Sequence, residues 1–260
     1  MSILKNIFLF SLLYQKLLFP QSSNINDIRG NSWFVDANNM LFLGQWRTNQ
    51  IVPVSMGIYI NVIANSYGNT KNVALTFDDT PNPENARKLL KILKKYDVQG
   101  AFFVNGATIN SENIDAIRYT SQEGHLILSH SFDHVNLKEL NTNDVDTQLV
   151  SNAERIEEVT GHYPKLFRPP YGLSNRNVVD SVNEHGMTMI LWSIDSLDWT
   201  LKDANTIVQV VIGNVHNGDI ILMHCNQMTI DTLPIIIEKL RQRGYMIVRL
   251  DELLGIKAYR

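Results

Sequence analysis

From Asn72 to its C-terminus, this 260-residue chain alternates short unbroken apolar runs with segments whose apolar residues recur every three or four positions. The runs fall at 73–77, 101–104, 126–129, 165–168, 188–192, 220–223 and 246–248. Continuous apolar runs of this length read as strands buried on both faces. The segments between them read as amphipathic helices. Asn82-Pro83-Glu84 opens the first helix as cap, first-turn proline and first-turn acid, and Ala86, Leu89, Leu90 and Leu93 share one face. A second helix runs through Ile114 and Ile117 to Gly124, and a third carries Val145, Leu149, Ala153 and Ile156. Val178, Val179 and Val182 belong to a helix closed by Gly186; Ile207, Val210 and Val211 to another; residues 230–240 to a last one before Gly244. Regular alternation of this kind implies parallel strands covered by helices. The expected fold is α/β: a distorted or incomplete (β/α) barrel with a short irregular N-terminal extension. An open doubly wound sheet is the alternative. No G-x-G-x-x-G follows the first strand, so nothing supports a dinucleotide-binding version.

Residues 21–71 are rich in Asn, Ser and Gly, with short apolar pieces at 40–43 and 58–63. They read as loops and short strands packing on a main domain that spans 72–260. Residues 1–20 place Lys5 before an apolar run from Ile7 to Tyr14, the pattern of a signal peptide, although Gln15 and Lys16 interrupt it and no A-x-A site follows. The run is too short to span a bilayer, which takes about 17–25 residues. The expected location is therefore secreted, cell surface or cell wall, with an amphipathic surface helix as the alternative. With 23 Lys+Arg against 26 Asp+Glu the chain has no basic field, which argues against nucleic acid as a partner. The single cysteine, Cys225, excludes an internal disulfide and a four-cysteine zinc site, so any metal must be held by histidines and carboxylates. Nothing in the sequence fixes an oligomeric state.

In parallel α/β folds, active groups gather at the carboxyl ends of the strands. Five of the apolar runs here lead into ionisable residues. Asp78 and Asp79 follow the first, and His130 and His134 follow the third. Arg168, Pro169, Pro170 and Tyr171 end the fourth, Asp195, Asp198 and Trp199 follow the fifth, and His224 follows the sixth. Each alone has a structural explanation: a turn, a cap, a surface histidine pair, a rigid Pro-Pro corner. Together they would require five coincidences.

These segments, T-F-D-D (76–79), H-S-F-D-H (130–134), R-P-P-Y-G (168–172), D-S-L-D-W (195–199) and I-L-M-H (221–224), resemble in order the five motifs of the polysaccharide deacetylases, the NodB-homology domain of carbohydrate esterase family 4. The resemblance covers roughly 72–250. It implies a metal-dependent hydrolase removing acetyl groups from a cell-wall or surface polysaccharide such as chitin. It assigns Asp79, His130 and His134 to a divalent metal, zinc by preference and cobalt as the alternative. It makes Asp78 the general base with Arg168 orienting it, and His224 the acid that protonates the leaving amine, its imidazole held by Asp195. The Tyr171 backbone N–H would help hold the oxyanion, and Leu222 and Trp199 would form the acetyl pocket and groove wall.

Three positions depart from the family pattern. Thr80 stands where glycine is usual, and a β-branched residue is expected to fit positive φ or close chain approach poorly. Ser129 replaces an asparagine. Cys225 replaces an acidic residue beside His224, a thiol that could react or compete for the metal. Two further readings stay open on these grounds: a catalytically inactive relative with a glycan-binding or wall-associated role, and a metal-dependent amidase of small molecules.

Overall fold

The computed structural model describes residues 62–66 and 70–260, together with four short strands before them: β1 (Trp33–Val35), β2 (Met40–Leu43), β3 (Pro53–Val54) and β4 (Ile58–Tyr59). The leader-like segment 1–20 lies outside the described residues. β1 and β2 pair antiparallel, as do β3 and β4.

The main sheet takes β5 (Val62–Ile63), β6 (Asn72–Asp78), β7 (Ala101–Val104), β8 (Leu126–Ser129) and β9 (Leu166–Phe167). The short β10 (Ser174–Asn175) stands apart from it and pairs with β2. β11 (Thr188–Ile190), β12 (Ile194–Asp195), β13 (Ile220–His224) and β14 (Met246–Ile247) complete the sheet. Its order is β12-β13-β6-β7-β8-β9-β11-β5, with β14 joined to the start of β6, and every pairing is parallel. The sequence order thus runs round the sheet without the reversal a doubly wound fold requires. The one opening lies between β11 and β12, where β5 takes the edge of β11. There the chain changes partners: Leu191 N–H donates to Ile63 O, and Ser193 N–H to Ile220 O. Asn65 also bridges to Asp219 at the start of β13. The result is the expected incomplete barrel. The apolar runs 165–168 and 188–192 shorten to Leu166–Phe167 and Thr188–Ile190 because their ends bond across this opening or to loops.

Helices α1 (Pro83–Lys95), α2 (Ile114–Gln122), α3 (Thr142–Thr160), α4 (Arg176–Glu184), α5 (Ala204–Asn214) and α6 (Gln227–Gln242) connect the strands, and α7 (Leu250–Leu254) follows β14. Asparagine does much of the capping: Asn82, Asn141, Asn175 and Asn226 each accept the N–H of the residue three positions on. α3 ends on Gly161 at φ 77°, a left-handed cap that costs glycine least.

Each strand sorts its side chains by parity. Val73, Leu75 and Phe77 of β6 pack outward with Phe102, Ile127, Ile221 and Met223 under the helices. Ala74, Ala101, Phe103, Leu126, Leu128, Leu166, Ile190, Ile220 and Leu222 point inward and fill the barrel. Leu250 of α7 and Ala258 join this inner cluster, closing the end of the barrel where the strands begin. Extending the inward parity to the other end gives Asp78, His130, Arg168 and His224, so the barrel interior turns from apolar to ionisable at the strand ends.

Candidate active site

Asp79, His130 and His134 offer ligand atoms that all lie within 4.8 Å of one another, and among the described residues this is the group of three that could hold a metal ion. Local geometry makes the cluster. Asp79 sits at φ 69° and His134 at φ 56°, left-handed conformations that turn both side chains back over the barrel mouth. His130 Nδ1 lies 2.8 Å from Arg168 O, an acceptor only, so Nδ1 carries the proton and Nε2 keeps its lone pair. Burial lowers the pKa of His130 below its usual value, against the pull of Asp78 and Asp79, and so favours the neutral ligand form. Two neutral imidazoles and one carboxylate fit a divalent ion of the zinc type with coordination positions left over. The spacing of the donors and the fixed tautomer are therefore what such an ion requires.

Asp78 lies beside this cluster. It is 4% exposed, its Oδ1 accepts from Arg168 Nη1 at 2.7 Å, and its Oδ2 is 3.7 Å from His130 Nε2. Arg168 is wholly buried and spends its donors on Thr76 Oγ1, Asp78, Ile190 O and Leu191 O, with its guanidinium 4.1 Å over the Phe103 ring. A buried cation held on so many partners fixes one carboxylate oxygen of Asp78 and leaves the other facing the histidines.

The other flank corrects one expectation. The partner of His224 is Asp198, not Asp195: His224 Nδ1 lies 2.9 Å from Asp198 Oδ1, and His224 N–H donates to Asp198 Oδ2 at 2.8 Å. Asp198 also accepts from Asn226 Nδ2 at 2.9 Å and from the hydroxyls of Thr229 and Ser196. Burial opposes the charge of both partners, but their mutual bond and attraction outweigh it. The carboxyl of Asp198 is held below its usual range and the imidazole of His224 above its own. Leu197 explains the exchange of roles. Its φ of 62° makes a tight turn that carries Asp198 back to His224. Asp195 serves the turn itself, accepting from Leu197 N–H at 2.8 Å and from Trp199 Nε1 at 3.3 Å. Burial pushes the pKa of Asp195 up. D-S-L-D-W offered both carboxylates, and only the turn decides between them.

Tyr171 occupies the short helical turn Pro170–Gly172 at φ 61°, 63% exposed, its ring edge-on to His134 at 4.8 Å. The bonds of that turn use the N–H groups of Gly172 and Leu173, so the Tyr171 N–H is not spent within it. Gly172 is required here: at φ 66°, an added Cβ would lie 2.7 Å from the Trp192 ring. Trp199 is 57% exposed on the opposite side, while Leu222 is buried in the barrel.

The departures from the motif pattern fit in ways the residues alone did not suggest. Thr80 carries no positive φ; that conformation belongs to Asp79. Ser129 is buried and its Oγ accepts from Asn152 Nδ2 of α3. Cys225 is half-buried against the outer core, outside the ligand cluster. Burial and the nearby carboxylates raise its thiol pKa well above the usual value, which opposes both nucleophilic attack and competition for a metal. Two residues beyond the motifs also support the site. Gln148 Oε1 accepts from Phe132 N–H and Asp133 N–H, and its Nε2 donates to Asp133 Oδ2, so α3 holds the loop between His130 and His134. Gln148 and Asn152 share the buried face with Val145 and Leu149, and a polar residue in an apolar stripe is the signal that would have found them.

Comparison with known proteins identifies the family. The family model described as polysaccharide deacetylase matches residues 65–190. The peptidoglycan-N-acetylglucosamine deacetylase PgdA of Listeria monocytogenes is 35% identical over 72% of this chain; the match spans 40% of that relative's length. The crystal structure of the Bc1960 peptidoglycan N-acetylglucosamine deacetylase superposes with a TM-score of 0.74 at 32% identity, covering 77% of this chain and 96% of that one. BA3943 of Bacillus anthracis, described as a CE4 family pseudoenzyme, gives 0.72 at 30% identity, covering 76% and 70%. With the incomplete parallel barrel and the ordered strand-end residues, these matches show that the chain belongs to the polysaccharide deacetylase family.

Proposed function

We propose that this chain hydrolyses the N-acetyl amide of N-acetylglucosamine units in a cell-wall glycan of the peptidoglycan type. The observation that carries the reading is one arrangement: a three-ligand metal cluster flanked by a carboxylate held by a buried arginine and an imidazole held by a buried carboxylate. A peptidoglycan-type polymer is preferred to chitin because PgdA and Bc1960 are both named for peptidoglycan.

A divalent ion bound by Asp79, His130 and His134 would supply Lewis acidity to the acetyl carbonyl and lower the pKa of water in the site. Asp78 takes the proton of the attacking water, and Arg168, bonded to its Oδ1, holds the carboxylate oriented for that transfer. The Tyr171 N–H donates to the developing oxyanion. His224 enters protonated at Nε2, since Nδ1 is engaged by Asp198, and delivers that proton to the departing amine. Leu222 offers an apolar surface to the acetyl methyl, and Trp199 a flat face to a sugar ring. The products are acetate and a free amine on the glycan. Such a substrate lies outside the cytoplasm, and the Lys5–Tyr14 run, with the pattern of a signal peptide, supports that location.

Acetate release by purified protein loaded with Zn²⁺ or Co²⁺, on peptidoglycan, chitin oligomers and other acetylated glycans, tests the reading. Release greatest on peptidoglycan is expected; none from a folded, metal-loaded protein overturns it. The likeness to BA3943 favours one alternative, a catalytically silent glycan-binding relative. That reading requires glycan binding with no acetate release.

A further inference from the structure

We infer that Thr80 is a positioning residue for the metal cluster, clamping the loop of Asp79 to the end of β7 and, through Asn105, to the backbone of His130. The hydroxyl of Thr80 accepts from Asn105 N–H at 2.9 Å and lies 3.2 Å from Asn105 O, to which it donates. Asn105 is 3% exposed and stands just past the end of β7, beyond its ladder partners. A buried N–H there needs an acceptor, and the Thr80 hydroxyl is the one it has. The side chain of Asn105 then donates to His130 O at 2.8 Å. One chain of hydrogen bonds therefore ties the ends of β6, β7 and β8, and with them two of the three metal ligands.

The clamp is placed where it is needed. Asp79 holds φ 69°, a conformation that non-glycine residues leave unless their surroundings enforce it. Its carboxylate is on the exposed side of the cluster, so packing does little to hold it. The next residue carries the tether. Without it, Asp79 gains freedom that metal binding must remove, and ligand preorganisation is lost. The glycine usual at this position in the family has no hydroxyl with which to make such a link.

The inference rests on the deacetylase reading, and a binding measurement separates the two. Zn²⁺ affinity of the full chain is measured by competition with a chromogenic chelator, for the wild type, Thr80→Val and Thr80→Ser, with circular dichroism melts on each apoprotein. Valine keeps the shape and removes the hydroxyl; serine keeps the hydroxyl. Expected is a Kd weakened about 10–100-fold in Thr80→Val, the usual cost of losing a residue that orients a ligand, and restored to within about threefold in Thr80→Ser. Unchanged affinity in a folded Thr80→Val overturns the inference while leaving the deacetylase reading standing. Equal loss in Thr80→Ser also overturns it, since the hydroxyl would then not be the cause. A wild type that binds neither Zn²⁺ nor Co²⁺ overturns both.

Discussion

Asp198 and His224 hold each other in charged form, and the directions of their shifts set a pH window. Asp198 is depressed below its ordinary value, so its stabilising share is present above the unfolded pKa and lost as pH falls through the folded one. His224 is raised, so its share is present below the unfolded pKa of 6.5 and lost as pH rises through the folded one. The pair therefore contributes between an acid limit below 3.8 and an alkaline limit above 6.5. An acid that must carry a proton gives a deacetylation rate that falls on the alkaline side as His224 titrates. Replacing Asp198 by Asn removes the charge that holds the imidazole up, so the alkaline limb of kcat/KM against pH moves to lower pH and kcat falls by about 10²–10⁴, the range for a positioned acid. Asp195→Asn disturbs the Leu197 turn and the Trp199 indole instead, so KM rises while the alkaline limb stays in place. A limb that moves in Asp195→Asn and not in Asp198→Asn would reverse the assignment.

Elements place these residues through parity and through what their helices bury. β8 and α3 together present His130 and hold the loop that follows it, by way of Ser129, Asn152 and Gln148. Gln148→Leu preserves helix and volume but removes the acceptor of two N–H groups of that loop, one on half-buried Phe132 and one on exposed Asp133. Water can reach them, so the expected cost is about 0.5–1.5 kcal/mol per lost hydrogen bond, read as a lower urea midpoint together with weaker metal binding. At the opposite end of β8, His125 Nδ1 accepts Gly100 N–H at 3.0 Å, and burial lowers its pKa to about 4. Its contribution is full above pH 6.5 and lost as pH falls through about 4. Unfolding free energy should drop by roughly 3 kcal/mol across that interval, and His125→Gln should flatten the slope. How much of this was legible follows from the same periods. Unbroken apolar runs located the strands from β6 to β9, and the ionisable residues that directly follow the runs marked the barrel mouth. The hydroxyl bonds of Thr80 and the choice of Asp198 over Asp195 were not legible, because both depend on single positive-φ residues, Asp79 and Leu197, that leave no periodic trace.

At the scale of the molecule, the two ends of the barrel have separate tasks. The strand carboxyl ends carry the ionisable set, while the strand starts are stopped by Leu250 of α7, Ala258 and Tyr259. Tyr259 Oη accepts Ile127 N–H at 2.8 Å, and Lys165 N–H donates to Ala258 O at 2.7 Å, so the last residues of the chain are stitched into the first rungs of β8 and β9. Leu222 lies between, its side chain on the same inner face as Leu250 and near the mouth. The inner cluster is thus one continuous packed column with chemistry at one end and a plug at the other. Interiors this dense resist loss of volume, so Leu250→Ala, at a residue 1% exposed, should cost about 2–5 kcal/mol. That loss should appear as earlier thermal unfolding. At temperatures where the variant is still folded, its Zn²⁺ affinity and the pH profile of deacetylation should match the wild type, because among the described residues the side-chain hydrogen bonds of Asp78, His130, Arg168 and His224 all go to partners outside α7. A plug substitution that lowered kcat in the folded state would show that the column transmits strain from one end to the other, and that the barrel's two tasks are coupled.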